Sequence, residues 1–246
     1  MYHPFSVPET IKTSWDIFRK NVVTIMVYST IAVFIIFLVG SFYQFADPQD
    51  DFTLAFVTAV IIMLIQGYTT LGLYKLIFTL IDSEFYEFEF TQIIPKIRMV
   101  LSYLSISIMF AIIVTTFKMF VLDGLLAKYP LATNIVETIE LFVILYFALR
   151  CMFCICFIVD DDSGPIESLQ QSFFVTKNNI LKILLLLAIT LLLIALPIII
   201  ANFFKLSIFG VGLILTYPFV NIILIVAYRK LVYSHLDIDD DVSETV

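Results

Sequence analysis

The chain has 246 residues, of which 61% are hydrophobic and 14% charged, with a formal net charge of -7, 25 Phe and 12 Tyr. A soluble domain is nearer half apolar and covers itself with mixed charge, so this composition excludes a water-soluble globule and turns most of the apolar surface toward lipid. Six helices of about 20 residues with short connections use up this length, which leaves little for a separate soluble catalytic domain.

The stretch Met1 to Asn21 carries His3, Glu9, Lys12, Trp15, Asp16, Arg19 and Lys20 ahead of the first apolar run. Val7, Ile11, Trp15, Phe18 and Val22 recur at helical spacing, and Ser6 with Glu9 has the pattern of an N-terminal capping box. The segment is predicted as a short helix in the membrane interface. Val22 to Tyr43 is too long for the core of a cleavable signal and is expected to stay as the first span. Further spans are predicted at Phe52 to Phe78, Met99 to Phe117, Thr133 to Val159, Ile183 to Phe204 and Ser207 to Val232. Asp47, Asp50 and Asp51 mark the first connection, and Asn202 to Ser207 reads as a tight turn. Pro197 and Pro218 fall inside the last two spans, where neighbouring groups can satisfy the carbonyl that a proline releases. The predicted fold is an all-α polytopic membrane protein, a single six-helix domain over residues 1–236, with an acidic disordered tail over residues 237–246.

Orientation follows from the bases. Lys12, Arg19, Lys20, Lys75, Lys96, Arg98, Arg150, Lys177, Lys182, Arg229 and Lys230 fall on one side, against Lys118, Lys128 and Lys205 on the other. Lysine and arginine excess marks the cytoplasmic side, so both termini are expected there.

The segments PETIKTSWDIFRKN and IESLQQSFFVTKNN align without a gap at an offset of 158. Glu9 meets Glu167, Ile11 meets Leu169, Ser14 meets Ser172, Trp15 meets Phe173, Arg19 meets Lys177 and Asn21 meets Asn179. Each precedes a span, so a second interfacial helix is predicted from Pro165 to Lys177, with Gly164-Pro165 at its start. Ile166, Leu169 and Phe173 are expected to face apolar surroundings, and Gln170, Gln171 and Lys177 water or headgroups. Lys75, Arg150 and Arg229 each follow an apolar run at the same end of an even-numbered span. A degenerate third segment near Glu87, with Phe90, Ile94, Ile97 and Leu101, would complete three units of one interfacial helix and two spans. Convergence of two interfacial helices on one composition is the alternative account.

The stretch Asp161 to Phe173, continued by Thr176-Lys177-Asn178-Asn179, two spans and Tyr228-Arg229, resembles a broad group of poorly characterised prokaryotic six-helix membrane proteins. That group is related to the membrane domain attached to some glycerophosphodiester phosphodiesterases. The shared features are an acidic turn, a Gly-Pro start, a serine-containing amphipathic helix and a closing Tyr-Arg. The group often has Lys-Gly-Asn where this chain has Lys177-Asn178-Asn179, and the resemblance does not extend to a phosphodiesterase domain. The resemblance implies a multi-pass protein of a prokaryotic cytoplasmic membrane and brings no catalytic residues with it.

Among candidate functional residues, Arg150 is the most informative, because a charge at bilayer depth must snorkel, line a polar cavity or pair with an acid. Lys75, Arg150 and Arg229 together would bind anionic lipid phosphates, or else Glu9 and Glu167, with Trp15 and Phe173 on the apolar side of the same helices. Lys118, Glu137 and Glu140 are expected to form a local ion pair at the far side, with a proton or cation route as the alternative. Cys151, Cys154 and Cys156 read as packing residues, and neither His3 nor His235 lies in a span, so no metal or cofactor is expected. Asp160, Asp161 and Asp162 lack the spacing of a cation loop and suit the start of a helix. A non-enzymatic protein that organises lipids, a membrane partner or its own copies fits best, with a small transporter or exporter second and a lipid-acting enzyme third. Nothing points to nucleic acid.

Overall fold

The computed structural model describes residues 5–46, 52–82, 90–119, 133–204 and 209–243. The chain is all-α and polytopic. Helix α1 runs Val7–Lys20, α2 Val22–Ala46 and α3 Phe52–Asp82; a 3-10 turn at Phe90–Ile93 leads into α4, Ile97–Phe117. Then follow α5 (Thr133–Cys151), α6 (Cys154–Asp160), α7 (Pro165–Thr176), α8 (Ile180–Phe204) and α9 (Phe209–Ser243). Six stretches are long and apolar enough to cross a membrane, the fourth being α5 and α6 in succession. Asp47, Lys205 and Glu87 lie outside the described residues, while Asn202 at the start of the expected tight turn still belongs to α8. α9 runs on through Ser243 into the tail set apart as disordered, since no glycine or proline interrupts the acidic run.

Both short helices begin as their sequences dictate, with Pro8 and Pro165 in the first turn, where a proline costs no helical hydrogen bond. The capping box expected at Ser6 does not form. The Ser6 carbonyl instead accepts from the Thr10 amide at 3.0 Å and the Thr10 hydroxyl at 2.8 Å, while Glu9 turns away to Lys230 at 3.1 Å. At the second helix the Gly164 amide donates to the Glu167 carboxylate at 3.3 Å, and an acid in the first turn suits the helix dipole.

Burial sorts the spans into two rings. The windows Phe56–Asp82, Thr138–Asp160 and Ile214–Val232 are 28, 44 and 56% buried, against 11, 17 and 17% for Val22–Ser41, Thr91–Phe117 and Ile180–Ile200. The even-numbered spans α3, α5 with α6, and α9 therefore form the inner ring, and α2, α4 and α8 present exposed apolar faces that suit lipid. Tyr228 of α9 is fully buried, with its ring edge-on to Phe157 at 4.9 Å and to Phe78 at 5.9 Å, so one aromatic ties all three inner spans. The elements that precede each pair of spans dock in a cycle: α1 packs on α9, the 3-10 turn on α3, and α7 on α5 and α6. Each rests on the inner span of the preceding unit. The middle unit differs from the other two in having, among the described residues, only the 3-10 turn ahead of α4.

Two glycines set close helix approaches. A Cβ on Gly212 would stand 2.7 Å from the Pro197 Cβ, so α9 passes the proline of α8 only because that position is bare. A Cβ on Gly72 would collide with the Tyr28 hydroxyl, which crosses from α2 to donate to the Thr69 carbonyl at 2.9 Å. Gly72→Ala is therefore expected to lower stability by about 1–2 kcal/mol through overpacking. Tyr28→Phe in the same chain should recover part of that loss, as read by thermal unfolding of the single and double variants. Strict additivity of the two changes would argue against the contact.

Candidate functional site

The ends of α3, α6 and α9 meet α1 and α7 at one face of the bundle, here called the basic face. The buried side of the two short helices is lined by small hydroxyl residues as well as apolar ones. In α1 it is Val7, Thr10, Ser14 and Phe18, and in α7 it is Ser168, Ser172, Val175 and Thr176. At the offset of 158, Thr10 corresponds to Ser168 and Ser14 to Ser172, and all four are fully buried. Small hydroxyl residues let helices approach closely, while the large apolar side chains turn outward: Trp15 is 51% exposed, Ile166 69% and Phe174 73%. Ile166 is exposed, whereas Leu169 and Phe173 are half-buried. Gln170 and Lys177 are exposed, and Gln171 is held by the Ser163 hydroxyl at 2.9 Å.

Three bases close the inner spans, and the first two are held by the element docked on their own span. Lys75 donates from Nζ to the Ile94 carbonyl at 2.9 Å, just past the 3-10 turn. Arg150 donates to the Thr176 hydroxyl of α7 at 2.9 Å and lies 4.8 Å over the Phe173 ring. Arg229 meets Asp82 at 2.9 Å and Asp160 at 3.6 Å, lies 5.0 Å over Phe78, and its neighbour Lys230 holds Glu9 of α1 at 3.1 Å. Glu9 thus engages the base next to the expected one, and Glu167 is spent on its own helix start. Trp15 packs edge-on against Phe219 at 5.7 Å.

The acids between α6 and α7 are also engaged. Asp160 accepts from the Tyr228 hydroxyl at 3.0 Å, and Asp162, in the left-handed region at φ 55°, pairs with Lys96 at 2.9 Å. Left-handed backbone is tolerated by aspartate better than by most residues. Partial burial, with Asp160 and Glu167 close by, holds the Asp161 carboxyl above its usual range. Arg150 differs from Arg229 in having no carboxylate partner among the described residues.

Arg150 stands at the rim of a groove of about 530 Å³ between α4, α5 and α7. Met109, Phe110, Ile113 and Phe147 form its apolar wall, and Arg150 and Lys177 are the charges that line it. A second cavity of about 480 Å³ lies between α2, α3, α4 and α9 and is lined by Tyr28, Ser29, Gln66, Thr70, Tyr103 and Tyr217, among others. Sequence reading missed this second site, because its polar groups are few on any one helix and converge only on assembly.

On the far side, Lys118 is exposed at the end of α4 and Glu140 half-buried in α5, and the two form no ion pair among the described residues. Glu140 sits seven residues into α5, about 10 Å along its axis, which separates it in depth from a base at the helix end. The Glu137 side chain lies outside the described residues. Cys154 and Cys156 are buried and Cys151 partly so, all as free thiols. Among the described residues no group of three or more His, Cys, Asp or Glu side chains gathers where a metal ion could be held.

Fold and site define a multi-pass, all-α membrane protein without an evident catalytic or metal centre among the described residues. No protein-family model, curated protein or solved structure matches the chain.

Proposed function

We propose that the protein is a non-enzymatic component of a prokaryotic cytoplasmic membrane that binds anionic phospholipid at its basic face. In this reading both termini are cytoplasmic, and α1 and α7 lie in the headgroup layer. The observation that carries it is Arg150: a guanidinium without a carboxylate partner among the described residues, at the rim of an apolar groove and joined there by Lys177. A lipid acyl chain suits the wall of Phe110, Ile113 and Phe147, and its phosphate suits the two bases. Membership of the six-helix group belongs to the same proposal, supported by the Gly164-Pro165 start and the helix that follows it.

Purification from vesicles of mixed phosphatidylglycerol and phosphatidylethanolamine, followed by mass spectrometry of retained lipid, tests the reading. The variant Arg150→Gln/Lys177→Gln is expected to retain roughly thirtyfold less phosphatidylglycerol relative to phosphatidylethanolamine, from about 1 kcal/mol per base near the membrane surface. An unchanged ratio in a folded variant would reject it. The second reading, a small transporter, draws on the cavity beside Pro218 and is tested by uptake into vesicles across a substrate panel.

A further inference from the structure

The second cavity carries an inference independent of the lipid groove. It lies where the three units meet: α2 and α3 belong to the first, α4 to the second and α9 to the third. Tyr28 and Ser29 sit six and seven residues into α2, and Tyr217 lies twelve residues before Arg229, so the cavity spans roughly 10–18 Å from the basic face. That is hydrocarbon depth in a bilayer whose apolar core is about 30 Å thick.

At this depth polar groups are costly unless satisfied, yet the wall holds several. Ser29 is buried, and its Oγ has no hydrogen-bond partner. Pro218 supplies no amide, so the Ile214 carbonyl one turn earlier loses its helical donor, and both residues line the cavity. One helix thus leaves a hydroxyl donor unspent and another a carbonyl acceptor. Gln66 adds an amide, and Tyr28, Tyr103 and Tyr217 supply ring surface and phenols. Asn221 donates from Nδ2 to the Tyr217 carbonyl at 2.8 Å.

Among the described residues no Asp, Glu, Lys, Arg or His lines the cavity, so an ion would be desolvated there without a counter-charge from them. Val33 and Ile36 at its edge are exposed apolar residues of the outer helix α2, so the cavity opens toward lipid. Its volume is in the range of sites for drug-sized molecules.

We propose that this cavity binds an uncharged, membrane-soluble lipid whose hydroxyl head both donates and accepts hydrogen bonds, entering sideways from the bilayer past Val33 and Ile36. Head recognition falls to Ser29, Gln66 and the Ile214 carbonyl, and the tyrosine rings hold the apolar body.

The test uses the full-length protein in phosphatidylethanolamine nanodiscs with hexadecanol carrying a photoreactive diazirine, and cross-linked peptides are mapped by mass spectrometry. Cross-links are expected on the segments around Tyr28 to Ile36, Gln66 to Leu73 and Tyr217, competed by excess plain hexadecanol. The anionic probe, diazirine-bearing palmitate, should label these segments at least fivefold less. Ala32→Phe, which fills the cavity, and Gln66→Leu, which keeps its volume but removes the amide, should each reduce hexadecanol labelling at least fivefold. Both variants must elute and melt as folded protein; if Ala32→Phe does not, Gln66→Leu alone decides. The Arg150→Gln/Lys177→Gln variant should label as the wild type does, which separates this site from the lipid groove. Labelling spread evenly over the outer faces of α2, α4 and α8, indifferent to Gln66→Leu, or equal for the palmitate probe, would overturn the proposal.

Discussion

Replacing Ser172 with alanine is expected to lower the thermal midpoint of the purified protein by roughly 5–10 °C, from a loss of about 2–4 kcal/mol. The fourth span is broken: α5 stops at Cys151 and α6 starts at Cys154, within a stretch long and apolar enough to cross the membrane. A break there leaves backbone groups without helical partners, and Phe153 within it is fully buried and out of reach of water. Ser172, fully buried on α7, repairs the break from outside. Its hydroxyl donates to the Arg150 carbonyl at 2.6 Å and accepts from the Phe153 amide at 3.3 Å. Alanine removes both partners at once and leaves an acceptor and a donor unpaired, each at a cost of about 1–3 kcal/mol. Ser168 provides the internal control, since it is equally buried on the same helix but donates only to the Pro165 carbonyl of its own first turn, at 3.0 Å. Ser168→Ala should cost less than about 1.5 kcal/mol. Equal losses for the two variants, measured by unfolding in one detergent, would mean that the hydroxyl bridge to the fourth span carries no particular weight.

That bridge also shows where sequence reasoning stops. Length, apolar runs and base placement made the six spans legible, because each is a property of one continuous segment. The match of Glu9 to Asn21 with Glu167 to Asn179 likewise located α1 and α7. The helical stripe alone does not say which side meets the bundle. In water the apolar stripe marks the buried side, whereas against lipid the large side chains can remain outside and the small hydroxyls face the bundle. Trp15, Ile166 and Phe174 accordingly turn out, and Thr10, Ser14, Ser168 and Ser172 turn in. The cavity was hidden for a different reason: Ser29, Gln66, Tyr103 and Tyr217 come from four helices, and no local pattern joins them. The break at Met152 and Phe153 has no glycine or proline to announce it. It persists because Ser172, 19 residues beyond Phe153, supplies the missing partners. Partners for the closing bases were equally remote, as Arg229 reaches across 147 residues to Asp82.

Replacing Arg229 with methionine is expected to cost about 2–3 kcal/mol, a second large loss but one of charge instead of backbone satisfaction. Arg229 joins the ends of α3, α6 and α9, meeting Asp82 at 2.9 Å and Asp160 at 3.6 Å while its guanidinium lies over Phe78. Methionine keeps much of the packing against Phe78 and removes the only charge that the change concerns. Two carboxylates then remain at the junction without the cation between them, and Asp160 keeps just the Tyr228 hydroxyl of its described side-chain partners. Removal of one member of a buried pair costs about 3–5 kcal/mol, but these side chains are 20, 23 and 48% exposed for Arg229, Asp160 and Asp82, so water reduces the loss. Lysine should recover only part of it, because an ammonium lacks the flat guanidinium face that lies over Phe78. A double-mutant cycle with Asp82→Asn isolates the pair. The double variant should be more stable than the sum of the single losses predicts, with a coupling of roughly 1 kcal/mol. Lys230→Met is the contrast at the adjacent position, where the partner Glu9 is 53% exposed and the loss should be below about 1 kcal/mol. Thermal unfolding of the set in one detergent at low salt, repeated at high salt, reads these differences. If Arg229→Met and Lys230→Met prove equally mild, the junction of the three inner spans is held by the rings around Tyr228 and not by charge.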